Sequence, residues 1–532
     1  MPKQRSFVHG AMLLAGAAVI TKLLGSVYTI ILQNVIGDHG MGLFQMAYPI
    51  YATLLAIATA GFPVAISKLV SERLALNDMA GAKQVLRISL HLLSILGLVS
   101  FCVLFFGAET FARIAGDPAA KAAIQAISPA LLVVPILSAV RGYFQGYQWM
   151  EPTAASQVIE QFVRVATIIG LAVWLTSAGF GESVSVAGAA FGAVTGALGG
   201  LISISYFWMR RPKDSINQGV RSSTSSLTKR LILYAFPISL GALVVPLMNN
   251  VDVMTVVNLL KNTGESQGMA TTQFGLLSGR AFKLMMLPTT LAAGIGIAVM
   301  PAISEAFTLG FRRLLSTRVN LALRMTILLS LPATVGLIVV AGPVNYALFR
   351  DGAGTSTIQV LALAILFASL QTTIAAILQG AGWIYLPVFH LLLACGVKLI
   401  ANIWFVPLFG IQGAALATVV SYAIAALLNL AAMVRLLGER VLWSEWFVKP
   451  LIATFIMFGA VFALYHVWLS CGGMELGRGI ATLSTIIAMS VGILVYGLAI
   501  LVSGSLSSEE LASVPRIGPK LVFWCSKFGF IE

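Results

Sequence analysis

The sequence predicts an all-α integral membrane protein of about fourteen transmembrane helices. They form two six-helix lobes, related by a pseudo-two-fold axis, plus two C-terminal helices. Three observations carry this. Of 532 residues, 58% are hydrophobic and only 10% charged, where a soluble domain carries roughly a quarter charged residues. Apolar runs of the ~20 residues that cross a bilayer recur from end to end. The first twelve runs also divide into two halves that echo each other.

The runs lie at roughly 8–33, 43–69, 86–108, 122–146, 153–178, 184–208, 231–258, 272–300, 319–341, 358–381, 385–405, 411–435, 449–470 and 479–503. The first follows Lys3 and Arg5, as a secretory leader would. No small-residue cleavage site follows it, so it reads as a retained helix. The longest polar break, "MRRPKDSINQGVRSSTSSLTKR", separates the sixth span from the seventh. Across it "FPVAIS" (62–67) is answered by "MPAIS" (300–304), and "FQGYQWMEP" (144–152) by "LQGAGWIYLP" (378–387). "VAGAAFG" (186–192) is answered by "IQGAALA" (411–417). Six helices per repeat give both halves one orientation, which is a transporter architecture. The resulting organisation is an N-terminal lobe at 1–208, a basic linker at 209–230 and a C-terminal lobe at 231–440. Two further spans occupy 441–503, and a tail 504–532. Small residues such as "GAAFGAVTGALGG" (188–200) predict close helix packing. "SERLALNDMAGAKQVLR" (71–87) reads as an amphipathic segment on the inner leaflet.

The formal net charge of +14 would suggest nucleic acid in a soluble protein. Here Lys and Arg concentrate in the termini and loops of one side. Positive residues stay inside, so both termini are expected in the cytoplasm. The excess then orients the chain and contacts anionic lipid, and no nucleic acid is implied. No P-loop, HExxH or Cys-rich ligand set appears. Neither the five histidines nor the four cysteines (Cys102, Cys395, Cys471, Cys525) form a metal set.

Seven ionisable residues fall inside spans: Lys22, Glu160, Arg164, Asp252, Arg280, Lys283 and Lys398. Charges in hydrocarbon are costly and functional by default. Arg280 and Lys283, three residues apart, share one face of an ideal helix. Counting ~1.5 Å per residue, Lys22, Arg280 and Lys283 fall at broadly similar depth, so a cavity between the lobes would hold all three. The alternative is that Arg280 and Lys283 snorkel to the outer surface. Glu160 and Arg164 have the spacing of a helical ion pair; a proton-linked role for Glu160 is the other reading. Lys398 lies four residues before Asn402, on one face, and is expected to pair with Asp252 in place of a bound cation. Arg141 and Glu151 fall at the cytoplasmic mouth, as an anchor or as a headgroup contact.

The stretch "LLVVPILSAVRGYFQGYQWMEPTAASQVIEQFVRV" (131–165), with "GMGLFQMAYPIY" (40–51) and "GFPVAISKLVSE" (61–72), resembles the MOP-superfamily polysaccharide exporters. Within them it is most similar to the branch of stage V sporulation protein B and the lipid II flippases of spore-forming bacteria. The resemblance implies a MATE-like fold around a cationic cavity. It implies as cargo an undecaprenyl-pyrophosphate-linked cell-wall precursor, with a tail groove at the last two helices. "TKLLGSVY" (21–28) is similar to the family's first-span motif and places Lys22 at a functional cation; Lys283, or Arg280, matches the eighth-span cation. Two further cations of some flippases are replaced by Tyr28 and Thr53.

The function expected is a flippase that moves this precursor outward by alternating access across the bacterial cytoplasmic membrane, for peptidoglycan or spore-cortex synthesis. No bond is made or broken and no cofactor is needed. The membrane potential, H+ or Na+ would supply the bias, and cell-wall synthases would be partners. The alternatives are a multidrug or cation antiporter and, behind it, a membrane enzyme acting on lipid-linked sugars. Five intramembrane cations against two acids favour an anionic cargo over a cationic drug.

Overall fold

The computed structural model describes residues 7–210, 223–438, 444–470, 472–473 and 477–503. Most of the linker, the tail 504–532 and Cys471 lie outside the described residues. Every regular element within them is helical: α1 (Phe7–Thr59), α2 (Phe62–Ala75), α3 (Met79–Phe106), α4 (Ala108–Ala115), α5 (Lys121–Ile127), α6 (Ala130–Gly146), α7 (Glu151–Ser177), α8 (Glu182–Arg210), α9 (Thr224–Asn262), α10 (Gln267–Gly275), α11 (Phe282–Thr308), α12 (Arg312–Phe349), α13 (Thr355–Gly380), α14 (Tyr385–Phe409), α15 (Ile411–Leu437), α16 (Lys449–Ser470) and α17 (Arg478–Val502). Short 3-10 and π segments join some of them. Among the described residues, thirteen helical runs are long and apolar enough to cross a membrane. The first contains a break at Gly37, where φ is 74°. Only glycine adopts that value at little cost, so α1 is two helices joined at a kink, in keeping with about fourteen spans. The chain is a multi-pass membrane protein.

One expectation is overturned by the turn between α2 and α3. Residues 71–87 do not form one continuous amphipathic segment. α2 runs on to Ala75, and α3 starts at Met79 with Asp78 as its N-cap, accepting from Gly81 N at 2.7 Å. Arg73 pairs with Asp78 at 3.1 Å. The polar residues close a tight hairpin, because a capping aspartate satisfies the free N–H groups of a helix start.

The chain divides into two compact units, Met1–Gly279 and Arg280–Glu532. In the first unit α9 belongs to the core: Leu227, Leu231 and Ala235 pack with Phe62, Ile66 and Leu69 of α2, Val85 of α3 and Tyr143 of α6. At one end, buried Asp117 accepts from Gln267 Nε2 at 2.9 Å and Thr271 Oγ1 at 2.7 Å, joining α10 to the turn before α5. The second unit is centred on Ile303, Val319, Leu323, Ile377 and Met433, closed by Trp446. α17 joins it through Tyr496, whose hydroxyl donates to Leu328 O at 2.8 Å.

The internal repeat is visible atom by atom in the turns. After α6, Tyr147, Gln148 and Trp149 donate to the carbonyls of Tyr143, Gln145 and Phe144. After α13, Ala381, Gly382 and Trp383 donate to Ile377, Gln379 and Leu378, the same pattern displaced by 234 residues. Both turns place their middle residue in the left-handed region, Gln148 at φ 56° and Gly382 at φ 95°. The paired echoes also pack on each other. Gly142 and Gly146 lie against Pro63, Ser67 and Val70 of α2, and Gly380 lies against Met300 and Ile303 of α11.

Gly188, Gly192, Gly196 and Gly200 of α8 recur every fourth residue and press on α7. A Cβ at Gly196 would stand 2.7 Å from Arg164 Cβ and 2.8 Å from Glu160 O. Two results are therefore expected from thermal melts of the detergent-solubilised protein. Gly196→Leu should leave little folded protein. Gln148→Gly should raise stability by up to about 1 kcal/mol, because a left-handed non-glycine residue costs roughly that much.

Candidate functional site

α7 carries a polar stripe through an apolar span. Thr153, Ser156, Gln157, Glu160, Gln161 and Arg164 follow at three- and four-residue steps, and so share one face. The stripe begins beside Glu151 and stops at Arg164, about 20 Å along the helix at ~1.5 Å per residue. Behind it runs the glycine stripe of α8, which fixes the backbone carrying Glu160 and Arg164. In front of it stand the tyrosines of α1.

Glu160 is the centre of this face. Its Oε1 accepts from Arg164 Nη2 at 2.6 Å and its Oε2 from Arg141 Nη2 at 2.9 Å. Arg141, on α6, also donates through Nε to Ser156 Oγ at 2.8 Å. The i,i+4 pair expected on α7 is thus present and is joined by a second guanidinium from another helix. Both carboxylate oxygens are engaged, which makes a buried ion pair strong, and the group as a whole keeps one positive charge. The three side chains retain 11–16% of their exposure.

The phenols of Tyr28, Tyr48 and Tyr51 lie within electrostatic reach of Arg164. Tyr51 is almost wholly buried, and its hydroxyl has no hydrogen-bond partner among the described residues; the same is true of Arg164 Nε. A buried donor left without a partner costs roughly 1–3 kcal/mol, so two of them beside a net positive charge point to an acceptor-bearing ligand. Thr53 accepts from Asn250 Nδ2 at 2.6 Å, tying α1 to α9. Asp252 lies buried on α9. Lys22 falls on α1, with its side chain outside the described residues.

The segment Leu276–Ala281 winds as a π-helix before α11 begins, and Arg280 is the first residue of the second unit. The segment ends at Ala281, between Arg280 and Lys283, the two residues expected to share one face of an ideal helix. Arg280 is buried and forks onto Asp351, at 2.5 and 3.0 Å, stacking 4.8 Å from the Phe349 ring. Asn345 accepts from the same guanidinium at 3.4 Å and donates to Ala353 O and Thr355 Oγ1. Lys283 is half-buried and makes no ion pair or hydrogen bond among the described residues. π segments inside α-helices often mark functional positions.

Lys398 and Asn402 are buried on α14. Asp252 belongs to the first unit and Lys398 to the second. Lys398 is also the repeat mate of Arg164, displaced by the same 234 residues as the turns; both are the fourteenth residue of their helices. The residue answering Glu160 is Ala394. That displacement was available in the sequence. The partnership of Asp351 with Arg280, 71 residues apart, carries no sequence signal. A further intramembrane ionisable residue, His390 on α14, contacts Asn429 Oδ1 through Nδ1 at 2.7 Å.

The family model for polysaccharide biosynthesis proteins matches residues 7–307. The chain belongs to this family. It is 35% identical over 524 residues to the uncharacterized membrane protein YabM of Bacillus subtilis, covering 96% of this chain and 95% of that one. It is 33% identical over 437 residues to lipid II flippase MurJ of the same organism, covering 78% and 80%. Among solved structures, lipid II flippase MurJ in an inward closed conformation superposes with a TM-score of 0.67 at 17% identity, covering 92% of this chain and 98% of that one. The fold is therefore that of this solved structure.

The Arg280–Asp351 fork predicts a pH effect. Burial works to raise the Asp351 carboxyl, but hydrogen bonds from Arg280 and the Ala353 N–H hold it below its ordinary value. A carboxyl depressed in the folded state contributes its stability above the unfolded value and loses it as pH falls through the folded one. Thermal melts should therefore show wild type losing this increment below about pH 4, while Asp351→Asn, less stable at neutral pH by about 1–2 kcal/mol, loses none there.

Proposed function

We propose that this protein is a flippase for an undecaprenyl-pyrophosphate-linked cell-wall precursor of the lipid II type. The observation that carries the reading is the excess of positive charge within the apolar spans. Arg141 and Arg164 share one carboxylate, and Lys283 has no anionic partner among the described residues. A pyrophosphate cannot enter hydrocarbon bare; guanidinium and ammonium groups replace its hydration. The 33% identity to a lipid II flippase over most of both chains supports the same cargo.

The steps are binding and movement only. Lys22, Arg164, Lys283 and Lys398 are the cations assigned to the headgroup; Arg280, forked onto Asp351, holds the neighbouring backbone. The precursor enters from the cytoplasmic leaflet, the side given to both termini by the basic loops, and leaves to the outer leaflet. The lobes must bind it with different affinity in their two states. A membrane potential negative inside favours outward movement of an anion by about 2.3 kcal/mol per charge per 100 mV. A cation antiporter needs free acids to attract its drug, and Glu160 is held by two arginines.

The test is complementation of a strain depleted of its lipid II flippase, scored by precursor exposed at the outer surface. The wild-type chain should restore exposure; Lys283→Ala and Arg164→Ala should each reduce it at least tenfold, about 1.4 kcal/mol of lost headgroup binding. A folded, inserted chain that leaves precursor inside ends the lipid II assignment. Full exposure in Lys22→Ala, Arg164→Ala and Lys283→Ala ends the cationic-site account.

A further inference from the structure

We propose that Glu160 is the resident anion of the α7 site, a built-in competitor that a diphosphate headgroup displaces from Arg164. This rests on the anionic-cargo reading above and adds to it a mechanism of capture and release.

Three features carry it. The first is stoichiometry: one carboxylate bridges two guanidiniums at 2.6 and 2.9 Å, so it occupies the place between two cations where a diphosphate oxygen would bind. The second is the remaining donors. Arg164 Nε and the Tyr51 hydroxyl are buried donors that the carboxylate does not reach, and a diphosphate has more acceptor oxygens than a carboxylate has. The third is access: Gln157, Glu160, Gln161 and Arg164, on one face of α7, are each only partly buried, so a headgroup can reach them. A site made only of cations would hold its anion too tightly to release it. A carboxylate tethered four residues away re-forms its pair as the headgroup leaves, so the arginines are never stranded in hydrocarbon, where an uncompensated charge is costly. Arg141 keeps the carboxylate poised, because Glu160 released from Arg164 still has a partner. The internal repeat supplies a natural contrast, with Lys398 at the Arg164 position and Ala394 at the Glu160 position.

Titration of the purified full-length protein with farnesyl diphosphate, followed by calorimetry, tests this. Glu160→Gln should bind on the order of tenfold tighter than wild type, the gain from removing one competing charged contact, while Arg164→Gln should lose a similar factor. Arg141→Gln should bind more weakly than wild type, since Glu160 then falls wholly to Arg164. The Arg141→Gln/Glu160→Gln double variant should recover at least the affinity of Arg141→Gln and exceed it. Inorganic diphosphate, run as a competitor, should displace the prenyl ligand if the headgroup is what is recognised. Unchanged, weaker or absent binding in Glu160→Gln overturns the proposal. Should that variant not fold, Glu160→Asp, which draws the carboxylate back by one methylene, reads the same competition: tighter binding supports it and unchanged or weaker binding overturns it. Failed complementation with the competition intact removes the cargo and leaves the exchange; intact complementation without the competition removes the exchange alone.

Discussion

The cost of a charge in hydrocarbon organises this molecule. A membrane interior offers no water, so each ionisable side chain within it must be paired, hydrogen-bonded or used. Glu160 satisfies two arginines at once. Arg280 is fully engaged by Asp351, Asn345 and the Phe349 face. Lys283, three residues on, has no such partner among the described residues. The two neighbours lie on either side of the end of the π segment at Ala281.

The backbone holds these charges through small residues. Gly192, Gly196 and Gly200 let α8 approach α7 until a methyl group would overlap Ile168, Arg164 or Glu160. Without a hydrophobic force between helices in lipid, such close packing is a main source of helix association. The stripe that looks like bland packing in the sequence is what makes the Glu160–Arg164 geometry stiff. A site on a helix locked in this way can hold a carboxylate between two guanidiniums within tenths of an ångström, which a loop could not.

Much of this is legible in the sequence. Span positions follow from apolar length alone, because hydrocarbon thickness fixes helix length; the turn at 381–384 falls between the expected spans 358–381 and 385–405. The i,i+4 pair Glu160–Arg164 follows from helical period. Arg141's part in it does not, since it depends on how α6 meets α7, and neither does Asp351's hold on Arg280. The segment 71–87 misled for a related reason: its alternating polar residues have the look of an amphipathic surface helix, yet Asp78 serves as a cap. Period reports which face a residue lies on, and says nothing about which distant helix covers that face.

The repeat shows how a duplicated fold diverges. The turns after α6 and α13 keep the same three backbone hydrogen bonds and the same left-handed middle residue, although Gln148 is chemically unlike Gly382. Backbone hydrogen bonds restrain the turn, so its geometry survives a change of side chain. The cation at the fourteenth residue of the following helix also persists, as Arg164 and Lys398, while its companion carboxylate does not. A guanidinium presents a planar fork that two carboxylate oxygens can fill, and an ammonium is a compact point charge with no such shape. The half with the fork has the bridging glutamate, and the half with the point charge has an alanine in its place. The two halves of the repeat thus carry chemically different cations at equivalent positions, one held by a carboxylate of its own helix and one with an alanine where that carboxylate would stand.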